Sequence, residues 1–208
     1  MAKWGVEDSR LRVIRNGVPL ATFNTEPAAR SGDLDILFIG RLTNWKGAET
    51  LLLAMAGQSG MKLTLIGDGP ELPFVHNLIV QMGLEGQVTL GGKMEQSKLH
   101  DRMSHAHVLV LPSNYEGLSH TLLEAGAAGL ARIASSIGGN QDAITHEQDG
   151  LLVPYGDVMA LRAALVRLRD DEELRLRLAR AARAAARKDD FTGTVDAYVK
   201  LLEERAAG

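Results

Sequence analysis

Apolar and polar positions fall into a repeating block pattern. Residues 34–39 (LDILFI) form a near-continuous apolar run and predict a buried strand, residues 40–47 a loop, and residues 48–56 a helix with Leu51, Leu52 and Met55 on its apolar face. The unit then recurs. A strand at 62–66 leads through the turn Gly67-Asp68-Gly69-Pro70 to a helix at 71–82, and a strand at 87–90 leads through Gly91-Gly92-Lys93 to a short helix at 96–104. Further strands are predicted at 106–111, 131–134 and 151–153, with a helix at 119–128 opened by Ser119 or Thr121 and a glycine turn at Gly138-Gly139. Such strands alternating with helices predict an α/β fold: a doubly wound, mostly parallel sheet sandwiched by helices, Rossmann-like, followed by C-terminal helices at 158–168, 172–188 and 192–204. Asp157 and Asp171 are expected to cap the first two of these.

Before residue 34 the pattern is weaker. Leu11-Arg12-Val13-Ile14 is a candidate edge strand, and Asn16-Gly17 a turn signal. The expected organisation is a linker and edge segment at 1–34, a Rossmann-like unit at 35–190 and a terminal helix at 191–208.

Composition narrows the chemistry. With 208 residues, 45% hydrophobic and 24% charged, the chain can fill one globular domain with a sizeable core. A formal net charge of -3 gives no overall electrostatic case for nucleic acid. The absence of cysteine removes disulfides, thiol catalysis and cysteine-ligated zinc. No signal-peptide core opens the chain and no apolar run approaches the length of a membrane span, so a cytoplasmic protein is expected. Arginines from Arg162 to Arg187 read as a solvated helix face, with weak peripheral contact to anionic lipid at the inner face of a membrane as the lesser alternative.

Candidate chemistry gathers at the predicted strand ends. Glycine turns there let backbone amides approach an anion, and Arg41 with Lys46 in or just after the first loop suggests a diphosphate site, Arg forking onto two oxygens and Lys supplying a point charge. Glu116 and Glu124 flank the start of the helix after Leu111. His120 lies at the same helix mouth, as a ligand contact or as a packed or exposed imidazole. The NAD fingerprint fails at Leu72, no G-x-x-x-x-G-K-[ST] loop exists, and Ser113 lacks a G-x-S-x-G elbow. His105 and His107 are expected on one strand face without a third metal ligand, so no metal site is expected.

Several of these pieces, in order, resemble the carboxyl-terminal, nucleotide-sugar-binding domain of the group-1 retaining glycosyltransferases, whose two-Rossmann (GT-B) architecture is shared by sucrose, mannosyl and glycogen synthases. They are VIRNGV at 13–18, FIGRL at 38–42 with Lys46-Gly47, IGDGP at 66–70, LPS at 111–113 with Glu116-Gly117-Leu118-Ser119, LEA at 123–125 and GLLV at 150–153. The resemblance covers residues 11–204, and Glu116 and Glu124 match its E-x7-E motif.

The resemblance implies a UDP-sugar or GDP-sugar as substrate, no cofactor, and a reaction in which Arg41 and Lys46 neutralise the donor diphosphate as a metal does in other transferases. Glu124 would hold the ribose and Glu116 touch the transferred hexose. Backbone amides of Leu118, Ser119, His120 and Thr121 would face sugar or phosphate oxygens. Gly40, Gly67, Gly69 and Gly117 would shape the donor site, and the loop with Gly92 and Met94 would pack on the base. The acceptor-binding amino-terminal domain of the family is absent, so an excised half or an acceptor-binding partner chain is expected. A noncatalytic interaction domain with a vestigial cleft, or half of a UDP-sugar epimerase, are the alternatives. Departures from the family pattern are Gly126 for methionine or leucine, Ala131-Arg132 for Pro-Val, and Asp142 for glutamate. Arg132 is expected to be an edge feature or a local weakness.

Overall fold

The computed structural model describes residues 5, 7, 11–23, 26–27 and 31–206. Six parallel strands form its sheet: β1 (Leu34–Ile39), β2 (Met61–Ile66), β3 (Val88–Gly92), β4 (Val108–Leu111), β5 (Ala131–Ser135) and β6 (Leu151–Val153). Their order is β3-β2-β1-β4-β5-β6, so the chain winds outward from β1 and then crosses back to β4. Loops leaving two neighbouring strands in opposite directions open a crevice at that reversal.

Helices α1 (Ala48–Met55), α2 (Leu72–Gln81), α3 (Gln96–His105), α4 (His120–Ala127), α5 (Gly138–Gln141), α6 (Val158–Asp170) and α7 (Glu172–Ala186) alternate with or follow the strands, and α8 (Phe191–Ala206) ends the described chain. Because side chains alternate across a strand, β1 feeds two cores. Leu34, Ile36 and Phe38 join Leu51 and Leu52 of α1, Val75 and Leu78 of α2 and Leu161 and Leu165 of α6. Leu37 and Ile39 join Met103 of α3 and Leu122 and Leu123 of α4 on the other side. The predicted doubly wound, parallel α/β sandwich is the observed fold.

Local expectations fared unevenly. Leu11 to Ile14 form no strand and Val13 is exposed; just beyond them Arg15 donates to the Asp142 carbonyl at 2.6 Å and buried Val18 makes an isolated parallel bridge to Asp190. Residues 1–4, 6, 8–10, 24–25 and 28–30 of the expected linker, and 207–208 of the expected terminal helix, lie outside the described residues. Gly91 and Gly92 end β3 rather than turning, and the β2–β3 register shifts between Leu65 and Ile66. Gly138 and Gly139 begin α5. His105 closes α3 while His107 precedes β4, where its Nδ1 accepts from the Asp35 amide at 2.8 Å, so the two do not share a strand face. Arg132 is neither at an edge nor loose: β5 lies between β4 and β6 and the side chain is fully buried.

The arginines do not form one solvated face. Arg175 is buried on the Leu168 carbonyl and Arg162 reaches the carbonyls of Leu53 and Ala54. Among the described residues no helix is long and apolar enough to cross a membrane.

Candidate functional site

Parallel strands deliver every strand-to-helix loop to one edge of the sheet. Past the ends of β1, β2 and β3 lies a cavity of about 580 Å³. Ile39, Ile66, Met94 and Leu99 give it an apolar floor, the backbones of Gly40, Gly67 and Gly69 a wall, and Arg41, Asp68 and Lys93 a charged rim. Lys93 and Asp68 approach to 3.7 Å.

The loops themselves are tied together. Gly67 donates to the Gly92 carbonyl at 2.8 Å, Gly40 to Ile66 at 3.0 Å and Leu42 to Asp68 at 2.9 Å. A Cβ on Gly67, whose φ is 141°, would stand 1.9 Å from the Gly40 carbonyl oxygen, and one on Gly69 would stand 2.2 Å from that of Leu42. These two glycines therefore let adjacent loops touch.

The second half of the site stands past β4. A 3-10 turn at Asn44–Lys46 aims Lys46 at Glu116, and Nζ meets Oε1 at 2.6 Å with the two side chains 21% and 12% exposed. Ser113 donates to the same oxygen at 2.8 Å. Ser119 is the N-cap of α4, its Oγ accepting from the Leu122 amide at 3.4 Å, so of the two candidate helix openers it is the one used. His120 and Thr121 occupy the first turn, where helix amides have no intrahelical acceptor and the helix dipole is positive.

Glu124 lies one turn further, and its Oε1 is 3.7 Å from His100 Nε2 of α3. Phe23 packs edge-on against that imidazole with ring centroids 4.7 Å apart.

The predicted residues thus split into two groups. Gly40, Arg41, Gly67, Gly69 and Met94 line the large cavity, with Gly92 accepting a hydrogen bond from its wall. Lys46 and Glu116 are brought into direct contact, while Glu124 comes within 3.7 Å of His100. Leu118 lines a separate cavity of about 340 Å³ with Val13, Ile14, Arg15, Asn16 and Asp142. Gly117 precedes α4, with its carbonyl against α5. Among the described residues no group of three or more His, Cys, Asp or Glu could hold a metal ion.

A family model described as glycosyl transferases group 1 matches residues 22–185. The chain belongs to this family. It is similar to the lipopolysaccharide core biosynthesis glycosyltransferase LpsD of Rhizobium meliloti, at 33% identity over 173 residues, 83% of this chain and 50% of that protein. Among solved structures it is similar to the sucrose-phosphate synthase of Thermosynechococcus elongatus, at 29% identity and a TM-score of 0.87 over 94% of this chain and 53% of that one. Anabaena HepE in complex with UDP shares the fold at 22% identity and a TM-score of 0.88, with 98% of this chain and 60% of that one covered. The chain spans about half the length of the curated relatives it matches. Its sheet is therefore one Rossmann-like half of the GT-B architecture.

Three contacts of this group 1 chain escaped sequence reasoning: Ser113 with Glu116, His100 with Glu124, and Asp68 with Lys93. Ser113 sits three positions before Glu116, and that spacing was a usable signal. The other two contacts had no such signal, because each is made through the fold: His100 on α3 meets Glu124 on α4, and Asp68 after β2 meets Lys93 after β3.

Proposed function

We propose that the chain is the donor-binding half of a retaining glycosyltransferase, holding a UDP-sugar or GDP-sugar from which a hexosyl group passes to an acceptor. In this reading residues 35–190 form the donor unit and 191–208 a terminal helix. Arg41 and Lys46 take the diphosphate, Glu124 the ribose hydroxyls, Glu116 the hexose, and the amides of Leu118 to Thr121 the sugar and phosphate oxygens. Met94 and its loop take the base. The observation that carries the proposal is the contact of Lys46 with Glu116 at the mouth of α4, beside a cavity whose rim holds Arg41.

Charge accumulates on the departing diphosphate as the glycosidic bond breaks. Fixed cations and helix amides aimed at that point stabilise it without reorganising. HepE, which shares the fold, was solved with UDP. The acceptor would be held by a further domain or a separate chain, which would also exclude water and orient the nucleophile. The expected location is the cytoplasm, with at most peripheral membrane contact.

Titration calorimetry with UDP, GDP and ADP tests the reading. Weak binding of one nucleotide is expected, and its loss in the Arg41→Ala, Lys46→Ala double variant. No binding by any of the three, or equal binding by the double variant, would overturn it.

A further inference from the structure

Glu116 Oε1 accepts two hydrogen bonds, from Lys46 Nζ at 2.6 Å and from Ser113 Oγ at 2.8 Å. Behind Ser113 runs a buried polar relay. The Ser113 carbonyl accepts from Ser135 Oγ at the end of β5, and Asn140 Nδ2 of α5 donates to the Ser135 carbonyl at 3.0 Å and to its Oγ at 3.1 Å. Ser113, Ser135 and Asn140 are each 0% exposed. Three fully buried polar side chains forgo hydration, and apolar groups of similar size would fill the same volume without that cost. What the relay adds is a fixed position for the carboxylate at its end.

The backbone is held from the same side. A Cβ on Gly139 would stand 1.9 Å from the Gly117 carbonyl oxygen and 2.4 Å from that of Glu116, so α5 lies directly on the turn that carries Glu116. With backbone and one carboxylate oxygen both held, the side chain has little freedom left. Oε1 is occupied by two donors, and Oε2 has no hydrogen-bond or ion-pair partner among the described residues.

We infer that Ser113, backed by Ser135 and Asn140, is a positioning residue for sugar recognition: it keeps Glu116 turned so that Oε1 stays with Lys46 and Oε2 is left to accept from a hydroxyl of the donor hexose. The inference rests on the donor-site reading above. It separates two parts of the ligand. Among the described residues Arg41 and Glu124, assigned to the nucleoside diphosphate, have no hydrogen bond or ion pair to Glu116, Ser113, Ser135 or Asn140; Lys46, also assigned to the diphosphate, meets Glu116 alone of these, whereas the hexose contact depends on Ser113.

The test is calorimetry on the whole chain with UDP, GDP and ADP and with the glucose ester of each, comparing wild type with Ser113→Ala. The nucleoside diphosphate that binds should keep its affinity within about twofold, and its glucose ester should bind about fivefold to tenfold more weakly, the loss expected when a charged acceptor is no longer held in place. Should Ser113→Ala fail to fold, Ser113→Cys, whose thiol is a weak donor, should give the same split. Equal weakening of nucleotide and ester would mark a merely structural effect and overturn the inference, as would an unchanged ester. A wild-type chain that binds none of the nucleotides overturns the donor-site reading itself, and the inference with it.

Discussion

Arg132 lies 1% exposed inside the sheet, its Nη1 donating to the Leu122 carbonyl at 3.2 Å and its Nη2 to the Asp149 carbonyl at 3.1 Å, with Asp149 Oδ1 3.3 Å away. Burial pushes the guanidinium pKa down, and the charges of Asp149 and Asp189 oppose that push. Opposite it a Cβ on Gly126 would stand 3.1 Å from Nη1. The two departures from the family pattern at 126 and 132 are thus one: the guanidinium fills the volume that a larger residue at 126 would take. Arg132→Val should cost about 1–3 kcal/mol, because it leaves the buried Leu122 carbonyl without the guanidinium and removes the cation beside Asp149, which keeps the Thr145 amide at 2.8 Å. Gly126→Leu alone should cost about 1–3 kcal/mol through overpacking. Together they should cost less than their sum by about 1 kcal/mol or more, since the leucine can enter the vacated space. Urea melts of the four chains check this, and additivity within about 0.5 kcal/mol would refute the shared-volume account. The sequence made Arg132 conspicuous but not its partner, because Asp149 reaches it from a loop before β6. Lys46 and Glu116 were likewise assignable to one site, while their direct ion pair depends on how the Asn44–Lys46 turn faces the end of β4.

Elements were more legible than contacts, because periodicity is local and needs no knowledge of neighbours. The first and sixth strands were expected at their observed bounds, and the other four shift by one or two residues, within ordinary disagreement over ends. The caps were legible too: Asp157 accepts from the Ala160 amide at 2.9 Å and Asp171 from the Leu174 amide at 2.8 Å. The role of the arginines was not. A helical period tells which residues share a face, and says nothing of a carbonyl waiting at the end of a helix a hundred residues earlier. Arg162 donates from Nε to Ala54 at 3.0 Å and from Nη2 to Leu53 at 2.8 Å, satisfying the last carbonyls of α1, and Arg175 does the same for α6 at Leu168, 2.7 Å away. Arg162→Ala should therefore cost about 1.5–3 kcal/mol, as lost hydrogen bonds from a charged donor, and Asp171→Ala about 1 kcal/mol as a lost N-cap. Arg180→Ala, at an exposed position of α7, should stay within about 0.5 kcal/mol. Chemical denaturation distinguishes these cases, and an Arg162→Ala chain as stable as Arg180→Ala would remove the capping role.

At the scale of the whole molecule, parallel pairing brings the loops that follow β1, β2, β3 and β4 to one edge. Each β-to-α loop emerges at the carboxyl end of its strand, so Arg41 after β1, Gly67 after β2, Met94 after β3 and Glu116 after β4 share a rim. Doubly wound topology was legible from the alternation of elements, whereas the strand order, which sets the crevice between β1 and β4, is a property of the assembled sheet. Leu11 to Ile14 did not become an edge strand: Leu11 and Ile14 are half-buried, but Val13 between them stands 75% exposed. A ligand in the crevice would tie the four loops to one another and bind only the folded chain. By linkage, a nucleoside diphosphate present at about 100 times its Kd adds about 2.7 kcal/mol to the stability. For a chain of this size that corresponds to a rise in Tm of roughly 5–11 °C. Thermal melts with UDP, GDP and ADP should show the rise for the nucleotide that calorimetry finds to bind. The Arg41→Ala, Lys46→Ala double variant should melt at one temperature with or without it. A rise that persists in the double variant would mean that the nucleotide binds elsewhere on the molecule and that the crevice at the sheet's carboxyl edge is not its site.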